Sequence, residues 1–171
     1  MIFPQFENIS IIDDIRKKYD PLYNHVRSHI TLVFTFESNI SLNEIKDHME
    51  KVLKVIIPFR LTMTDIIKVD NHLGKYLFLV INEGVDNIKK LSSKLYTGIL
   101  EQYKPEWFNE NTFLPHMTIG SFNSREDLNK AFKDVSVIKE NFTTIVNKVS
   151  VEIIDENEDS IIEIEVDLNN I

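Results

Sequence analysis

Apolar residues recur along the chain with two periods, and the switches between them define the predicted elements. Spacings of three and four residues are typical of an amphipathic helix, whereas apolar residues at every second position are typical of a half-buried strand. The pattern predicts helices over residues 10–18, 41–55, 85–100 and 124–135. It predicts strands over residues 2–6, 29–36, 60–69, 75–81, 113–122, 146–154 and 161–168.

Short polar motifs mark the predicted boundaries. Three of the helices are expected to begin at a serine followed three residues later by a carboxylate, as in N-terminal caps: Ser10 with Asp13, Ser41 with Glu44 and Ser124 with Asp127. Asn71-His72-Leu73-Gly74 predicts a hairpin turn, because Asn and Gly tolerate positive φ.

The order of these elements predicts the fold class. A helix-strand-helix unit occurs twice, and most strands follow one another as hairpins. We therefore expect an α+β protein in which residues 1–171 form one domain made of two similar, facing halves. The chain contains no low-complexity tract and no obvious interdomain linker.

Composition narrows the possible functions. The chain has no cysteine, which excludes disulfides, zinc-cysteine sites and thiol nucleophiles. Its formal net charge of −8 argues against a protein that coats long duplex nucleic acid, and favours a small ligand or a strand end. No signal-peptide pattern and no membrane-length apolar run are visible, so we expect a cytoplasmic protein without a membrane partner. The sequence does not indicate an oligomeric state.

One tetrapeptide pattern occurs in both halves. His29-Ile30-Thr31-Leu32 and His116-Met117-Thr118-Ile119 each read histidine, apolar, threonine, apolar. In a strand, residues i and i+2 point to the same face. Each histidine is therefore expected to project beside its threonine, while the apolar residues face the core.

Two facing imidazoles suit phosphoryl chemistry. Because histidine titrates near neutral pH, one ring can be neutral and accept a proton while the other is protonated and donates one. Threonine hydroxyls can donate hydrogen bonds to the non-bridging phosphate oxygens. The pattern predicts His29 and His116 as catalytic residues, Thr31 and Thr118 as substrate-binding residues, and no metal or other cofactor.

The two tetrapeptides resemble the paired HxTx motifs of the 2H phosphoesterase superfamily, which includes the bacterial 2′,5′ RNA ligase-like proteins. Three further segments resemble one bacterial branch of that superfamily: Lys18-Tyr19-Asp20-Pro21, Lys94-Leu95-Tyr96-Thr97-Gly98 and Phe113-Leu114-Pro115-His116. The resemblance implies a bilobal fold with pseudo-two-fold symmetry, in which two antiparallel sheets form a central cleft with helices outside. It also implies 2′,3′-cyclic phosphodiesterase or 2′,5′-ligase chemistry on RNA or a nucleotide.

One departure from the family pattern leaves the substrate and the source of positive charge open. Many RNA ligase-like members carry an arginine shortly after the second motif, where this chain has Gly120-Ser121-Phe122. Arg27 shares the strand parity of His29 and could supply the charge. Phe122 shares the parity of His116 and could stack on a base. A solvated loop arginine and a core phenylalanine are the respective alternatives.

Two other functions compete with a phosphoesterase. A non-catalytic module could bind a nucleotide or phosphate between the lobes, although simple phosphate binding favours Arg or Lys over paired histidines. A two-histidine metal site is the third hypothesis, but zinc usually needs at least three protein ligands, and no carboxylate stands at a diagnostic spacing.

Overall fold

The computed structural model describes residues 1–109 and 111–169, and antiparallel strands make up both of its sheets. Its helices are α1 (Ile9–Tyr19), α2 (Leu42–Leu53), α3 (Val85–Leu95), α4 (Arg125–Val135) and a 3-10 helix (Gly98–Tyr103). Its strands are β1 (Phe59–Asn71), β2 (Gly74–Glu83), β3 (His116–Phe122), β4 (Phe142–Val146), β5 (Lys148–Ile154) and β6 (Ser160–Asp167). The predicted α+β class with two antiparallel sheets is confirmed.

The larger sheet has the strand order β3-β2-β1-β4, and the smaller sheet pairs β5 with β6. On one face of the larger sheet, Leu77, Leu79, Met117 and Ile119 are fully buried in the core together with apolar residues of α1 and α4. On its other face, the side chains of β2 and β3 are half-buried and open toward solvent. This half-exposed face carries the second motif.

The segment that carries the first motif differs from its prediction. Residues 29–36 do not form a regular strand, since only Ile30 pairs, through two backbone hydrogen bonds with Ile2. Residues 33–38 instead line a cavity of about 570 Å³ together with residues of β5. The predicted strands 2–6 and 29–36 are therefore wrong as regular strands, although the expected alternation of buried and half-buried residues persists over residues 29–32.

The three predicted caps have different outcomes. Ser41 and Glu44 form a complete capping box at the start of α2, and the Ser124 hydroxyl accepts the Asp127 amide at the start of α4. Ser10, however, lies inside α1, which begins at Ile9 without a side-chain cap. The hydrophobic packing of Ile12 and Ile15 fixes the position of α1, so a local Ser-Asp spacing does not decide where it begins.

Two further boundaries depend on tertiary contacts. The helix predicted over residues 85–100 ends at Leu95, because Tyr96 leaves helical geometry and its hydroxyl accepts the backbone amide of Phe34. Strand β4 was not predicted, and it forms at the sheet edge by pairing with β1. None of the helices in the described residues is long and apolar enough to cross a membrane.

Candidate active site

His116 opens β3, and its ring has a fixed orientation. Pro115 precedes it and has no backbone N–H, which suits the transition from the loop into an edge strand. The Nδ1 atom of His116 lies 2.7 Å from the carbonyl oxygen of Leu114. Because a carbonyl can only accept, Nδ1 carries the proton, and Nε2 is the nitrogen that remains free to exchange one.

His29 has the same arrangement in the other motif. Its Nδ1 atom donates to the carbonyl oxygen of Arg27 at 2.8 Å, again two residues earlier in the chain. The adjacent Ile30 is held by its hydrogen bonds to Ile2. Neither Nε2 atom has a hydrogen-bond partner among residues 1–109 and 111–169. The two histidines therefore present the same tautomer and the same free nitrogen.

A buried arginine holds the loop that leads to His29. Arg16 is 3% exposed, and its guanidinium donates to Asp20 at 2.8 Å, to the Val26 carbonyl at 2.7 Å and to the Ser28 hydroxyl at 3.1 Å. These bonds fix the chain on both sides of the turn before the first motif. Asp20 belongs to the Lys18-Tyr19-Asp20-Pro21 segment of the family resemblance, so its place there has a structural explanation.

An aromatic cluster connects the segments that carry the two motifs. The Phe34 ring, five residues after His29, lies 6.2 Å from the ring of Phe113, three residues before His116. Phe34 also meets Trp107 at 4.8 Å, and Phe108 packs between these rings. Aromatic contacts of this kind stabilise a defined arrangement, so the cluster holds one motif segment against the other.

Both histidines have lowered pKa values. Burial lowers the pKa of each ring, and the hydrogen bond from Nδ1 to a carbonyl, which favours the protonated ring, offsets this only in part. The charge of Glu152 raises the pKa of His29. A proton on His29 lowers the pKa of His116, so the two rings share one electrostatic environment.

The two threonines lie beside their histidines. Thr31 and Thr118 are half-buried, and the residues that flank them, Ile30, Leu32, Met117 and Ile119, are fully buried. Neither threonine hydroxyl has a hydrogen-bond partner in the described part of the chain. Both hydroxyls are thus free to donate to a ligand on the half-exposed side.

The predicted parity of Phe122 is wrong. Thr118 pairs with Phe78, but Gly120 pairs with Leu77, so β3 contains one extra residue and its faces exchange after Ile119. Phe122 consequently lies on the α1 side, where its ring packs against Tyr19 at 5.9 Å. A Cβ on Gly120 would stand 3.1 Å from both of these residues, so a larger residue there would have to displace the Phe122 ring or α1 by a few tenths of an ångström.

Arg27 is exposed next to the first motif. Its guanidinium lies 4.4 Å from the centre of the Phe3 ring, and the Phe3 ring stands edge-on to His29 at 6.2 Å. Arg27 also lines a cavity of about 230 Å³ together with Lys148 and Glu165. The structure thus places a cation near His29, and its contact with phosphate stays a prediction.

Two neighbours of the second motif were not selected from the sequence. The ring of Phe78 stacks on His116 with centroids 3.6 Å apart and an angle of 19° between planes. Ser121 takes the half-exposed side that Phe122 was expected to occupy, since it pairs with Tyr76. On β2, the side chain of Phe78 lies on the same face as those of Tyr76 and Val80. Only the β2–β3 register shows that His116 projects from this face too.

Potential metal ligands do not cluster in the part of the chain that the structure describes. Within residues 1–109 and 111–169, no group of three or more His, Cys, Asp or Glu side chains is placed to hold a metal ion. The metal-independent mechanism remains a prediction that requires a direct test.

Comparison with known proteins extends the similarity over most of the chain. A protein of Bacillus licheniformis named "Putative phosphoesterase" is 29% identical over 123 residues, which cover 70% of this chain and 67% of that protein. One from Oceanobacillus iheyensis with the same description is 27% identical over 119 residues, covering 69% and 66%. The chain thus matches about two thirds of the length of these relatives.

A solved structure matches the fold of this chain, and a family model matches its sequence. The crystal structure of Escherichia coli LigT complexed with ATP superposes with a TM-score of 0.52 at 17% identity, covering 99% of this chain and 98% of LigT. At this identity the likeness concerns the fold alone. The family model of the 2′-5′ RNA ligase superfamily matches residues 3–158, which include both HxTx motifs. The chain therefore belongs to the 2′-5′ RNA ligase superfamily, the group of the 2H phosphoesterases.

Proposed function

We propose that this protein is a metal-independent phosphoesterase that acts on a cyclic phosphate or a 2′,5′-type phosphodiester of RNA or a nucleotide. His29 and His116 are the paired acid and base, and Thr31 and Thr118 bind the phosphate. Family membership and the curated relatives support an enzyme of the phosphoesterase group.

This proposal is supported mainly by the identical hydrogen-bonded state of the two imidazoles. Each ring donates its Nδ1 proton to the carbonyl oxygen two residues earlier, at 2.8 Å for His29 and 2.7 Å for His116. Both rings thereby keep a free Nε2, which is what acid-base catalysis at two sides of one phosphate requires. The exposed His72, by comparison, lies in a hairpin turn and has no such matched partner in the other half of the chain.

The reaction on a cyclic phosphate follows from these groups. The neutral Nε2 of one histidine accepts a proton from water as the new phosphorus–oxygen bond forms. The protonated Nε2 of the other donates its proton to the ribose oxygen as the old phosphorus–oxygen bond breaks, which gives a phosphomonoester. The hydroxyls of Thr31 and Thr118 donate to the non-bridging oxygens, where negative charge accumulates.

A nucleotide is the ligand class that best fits the neighbourhood. The LigT structure of the same fold is a complex with ATP. Arg27 lies beside Phe3 and His29 and would contribute positive charge near the phosphate. The overall acidic chain favours a small nucleotide or an RNA end over a long duplex.

A substrate panel tests the proposal. The purified protein is incubated with 2′,3′-cyclic nucleotides, 2′,5′-linked dinucleotides and 3′,5′-linked dinucleotides, with and without EDTA, and products are separated by chromatography. We expect hydrolysis of a cyclic or 2′,5′-linked substrate that EDTA does not reduce. Loss of activity in EDTA, with recovery in zinc or manganese, would contradict the metal-independent mechanism.

The same panel distinguishes the binding module. If no substrate is turned over but nucleotides bind in calorimetry, the protein is a non-catalytic nucleotide-binding member of its family. The His29→Ala variant then provides the check, since a binding role for the imidazole predicts weaker affinity, whereas a purely catalytic role predicts unchanged affinity.

A further inference from the structure

Three rings form a column on the half-exposed face of the larger sheet. The His116 imidazole stacks on Phe78 with centroids 3.6 Å apart, and Phe78 stacks on Tyr76 at 5.5 Å with planes only 16° apart. Phe78 and Tyr76 are two residues apart on β2 and so share one face. The imidazole reaches Phe78 diagonally across the β2–β3 pair, because its direct partner is Val80.

The far end of the column is fixed to the hairpin turn. The Tyr76 hydroxyl donates to the Leu73 carbonyl at 2.9 Å. Gly74 has a φ of 148°, which L side chains rarely adopt, and a Cβ there would clash with the ring and hydroxyl of Tyr76. The turn therefore holds Tyr76, which in turn supports Phe78.

The column restricts the orientation of His116. A histidine side chain has two rotatable bonds. The single hydrogen bond from Nδ1 to the Leu114 carbonyl still allows the ring to tilt. Face-to-face contact with Phe78 removes that freedom and sets the direction of Nε2. The face of an aromatic ring is also electron-rich, so it attracts a protonated imidazole more than a neutral one.

His29 lacks such a partner. Its aromatic neighbour is Phe3, whose ring stands at 62° and 6.2 Å, which is an edge contact without overlap of faces. Among the described residues, the two histidines therefore differ in their aromatic surroundings although their hydrogen bonds are alike. A paired acid-base mechanism needs such a difference, because one ring must hold a proton that the other lacks.

We infer that Phe78 is a positioning residue that fixes the His116 imidazole, sets the direction of its Nε2 atom and stabilises its protonated form. The catalytic use of this orientation rests on the proposed function. The stacking itself, and its effect on the protonation of His116, are properties of the protein alone. They can be measured without any substrate.

The experiment compares Phe78→Leu with Phe78→Tyr. Leucine keeps an apolar side chain but removes the aromatic face, whereas tyrosine keeps the face. The pKa values of His29 and His116 are measured from their imidazole proton signals in NMR titrations, assigned with His29→Asn and His116→Asn. Phe132→Leu is the matched control, because Phe132 lies on α4 and contacts Lys68 away from the motifs.

We expect Phe78→Leu to lower the pKa of His116 and to reduce kcat roughly tenfold on a confirmed substrate, with KM changed by less than about threefold. Phe78→Tyr should keep both values within about twofold of the wild type, and Phe132→Leu should leave the pKa of His116 unchanged. If Phe78→Leu does not fold, Phe78→Met replaces it, with the same expectation.

An unchanged or raised pKa of His116 in the folded Phe78→Leu protein would overturn the inference. If the wild type turns over no substrate but the pKa of His116 still falls, the proposed function fails while the positioning by Phe78 stands. If activity is confirmed and Phe78→Leu reduces kcat without moving the pKa, the inferred preference for the protonated ring is wrong.

Discussion

At the scale of single residues, the candidate site consists of two imidazoles in matched hydrogen-bonded states and two free threonine hydroxyls. The imidazoles move protons, whereas each threonine offers one neutral hydrogen bond that water can partly replace. Because of this difference in role, substitution of a histidine should reduce the catalytic rate more than substitution of a threonine. It also predicts a pH dependence set by both rings together.

Removal of either imidazole should abolish most catalysis. We expect His29→Ala and His116→Ala each to lower kcat by about a hundred- to ten-thousandfold, the usual contribution of a positioned acid or base. Thr31→Ala and Thr118→Ala should cost roughly tenfold each, as expected for one hydrogen bond. Turnover of a confirmed 2′,3′-cyclic nucleotide or 2′,5′-linked dinucleotide provides the measurement.

The double variant and a matched control sharpen this prediction. The His29→Ala/His116→Ala protein should lose less than the product of the single losses, because both rings serve one transition state. His72→Ala changes an exposed histidine in the hairpin turn and should retain full activity. Near wild-type turnover in either motif variant would refute the paired mechanism.

The pH profile should be bell-shaped with its optimum on the acidic side. Burial lowers the pKa of both rings below the ordinary value of 6.5, and one ring must be neutral while the other is charged. The singly protonated pair is therefore most abundant below pH 6.5 in the free enzyme, which kcat/KM reports. A kcat/KM optimum above pH 7.5 would be incompatible with these lowered pKa values.

At the scale of secondary-structure elements, local sequence signals and tertiary packing compete for the same residues. The Ser-x-x-acid spacing occurs at Ser10, Ser41 and Ser124, yet only the latter two cap helices. The N-cap position of α1 is Asn8, two residues before Ser10, and the buried Ile12 and Ile15 anchor the helix in the core. Likewise, the extra residue in β3 exchanges Phe122 for Ser121 on the half-exposed face.

Ser41 and Ser10 allow the stability contribution of a capping serine to be compared with that of a serine that does not cap a helix. Ser41→Ala removes the capping box of α2 and should lower the free energy of unfolding by about 1 kcal/mol. Ser10→Ala should leave the free energy of unfolding unchanged or slightly higher, because Ser10 is exposed in the first turn of α1, makes no cap there, and alanine has the higher helix propensity. Urea denaturation at neutral pH measures both. Equal losses in the two variants would show that Ser10 also acts as a cap.

At the scale of the whole molecule, the fold brings together the two motif segments, which are far apart in sequence, so that their histidines influence each other electrostatically. Phe34 and Phe113 link the chain after the first motif to the chain before the second. The same environment holds both histidines with lowered pKa values, so their protonation is coupled to folding.

Acidification should therefore destabilise the protein near pH 6. In the unfolded chain both histidines bind protons at their ordinary pKa of 6.5, whereas in the folded chain they do so only at lower pH. Between those values the unfolded state binds more protons, so the free energy of unfolding falls as pH falls. Urea denaturation at pH 7.5 and pH 5.5 should show this loss.

The histidine contribution can be isolated by substitution. The His29→Asn/His116→Asn variant should lose less stability than the wild type between the same two pH values, since its side chains do not titrate. If the variant and the wild type lose equal stability, the motif histidines do not titrate differently in the folded and unfolded states.

The sequence by itself determined the α+β class, the hairpin of β1 and β2, the capping box at Ser41, and the alternation that sets His29 and Thr31 apart from Ile30 and Leu32. These features depend on periodicity and on contacts within a few residues, which a single segment contains. The duplicated HxTx pattern was likewise visible because each copy lies in one short stretch.

Only the tertiary structure decided which rings neighbour the motifs. The stacking of Phe78 on His116 depends on the β2–β3 register, and the misplaced Phe122 depends on one extra residue within that register. The first motif does not form a regular strand, because strand formation requires a paired partner and only Ile30 is paired, with Ile2. Register and partnership are relations between distant segments, so no periodicity within one segment can specify them.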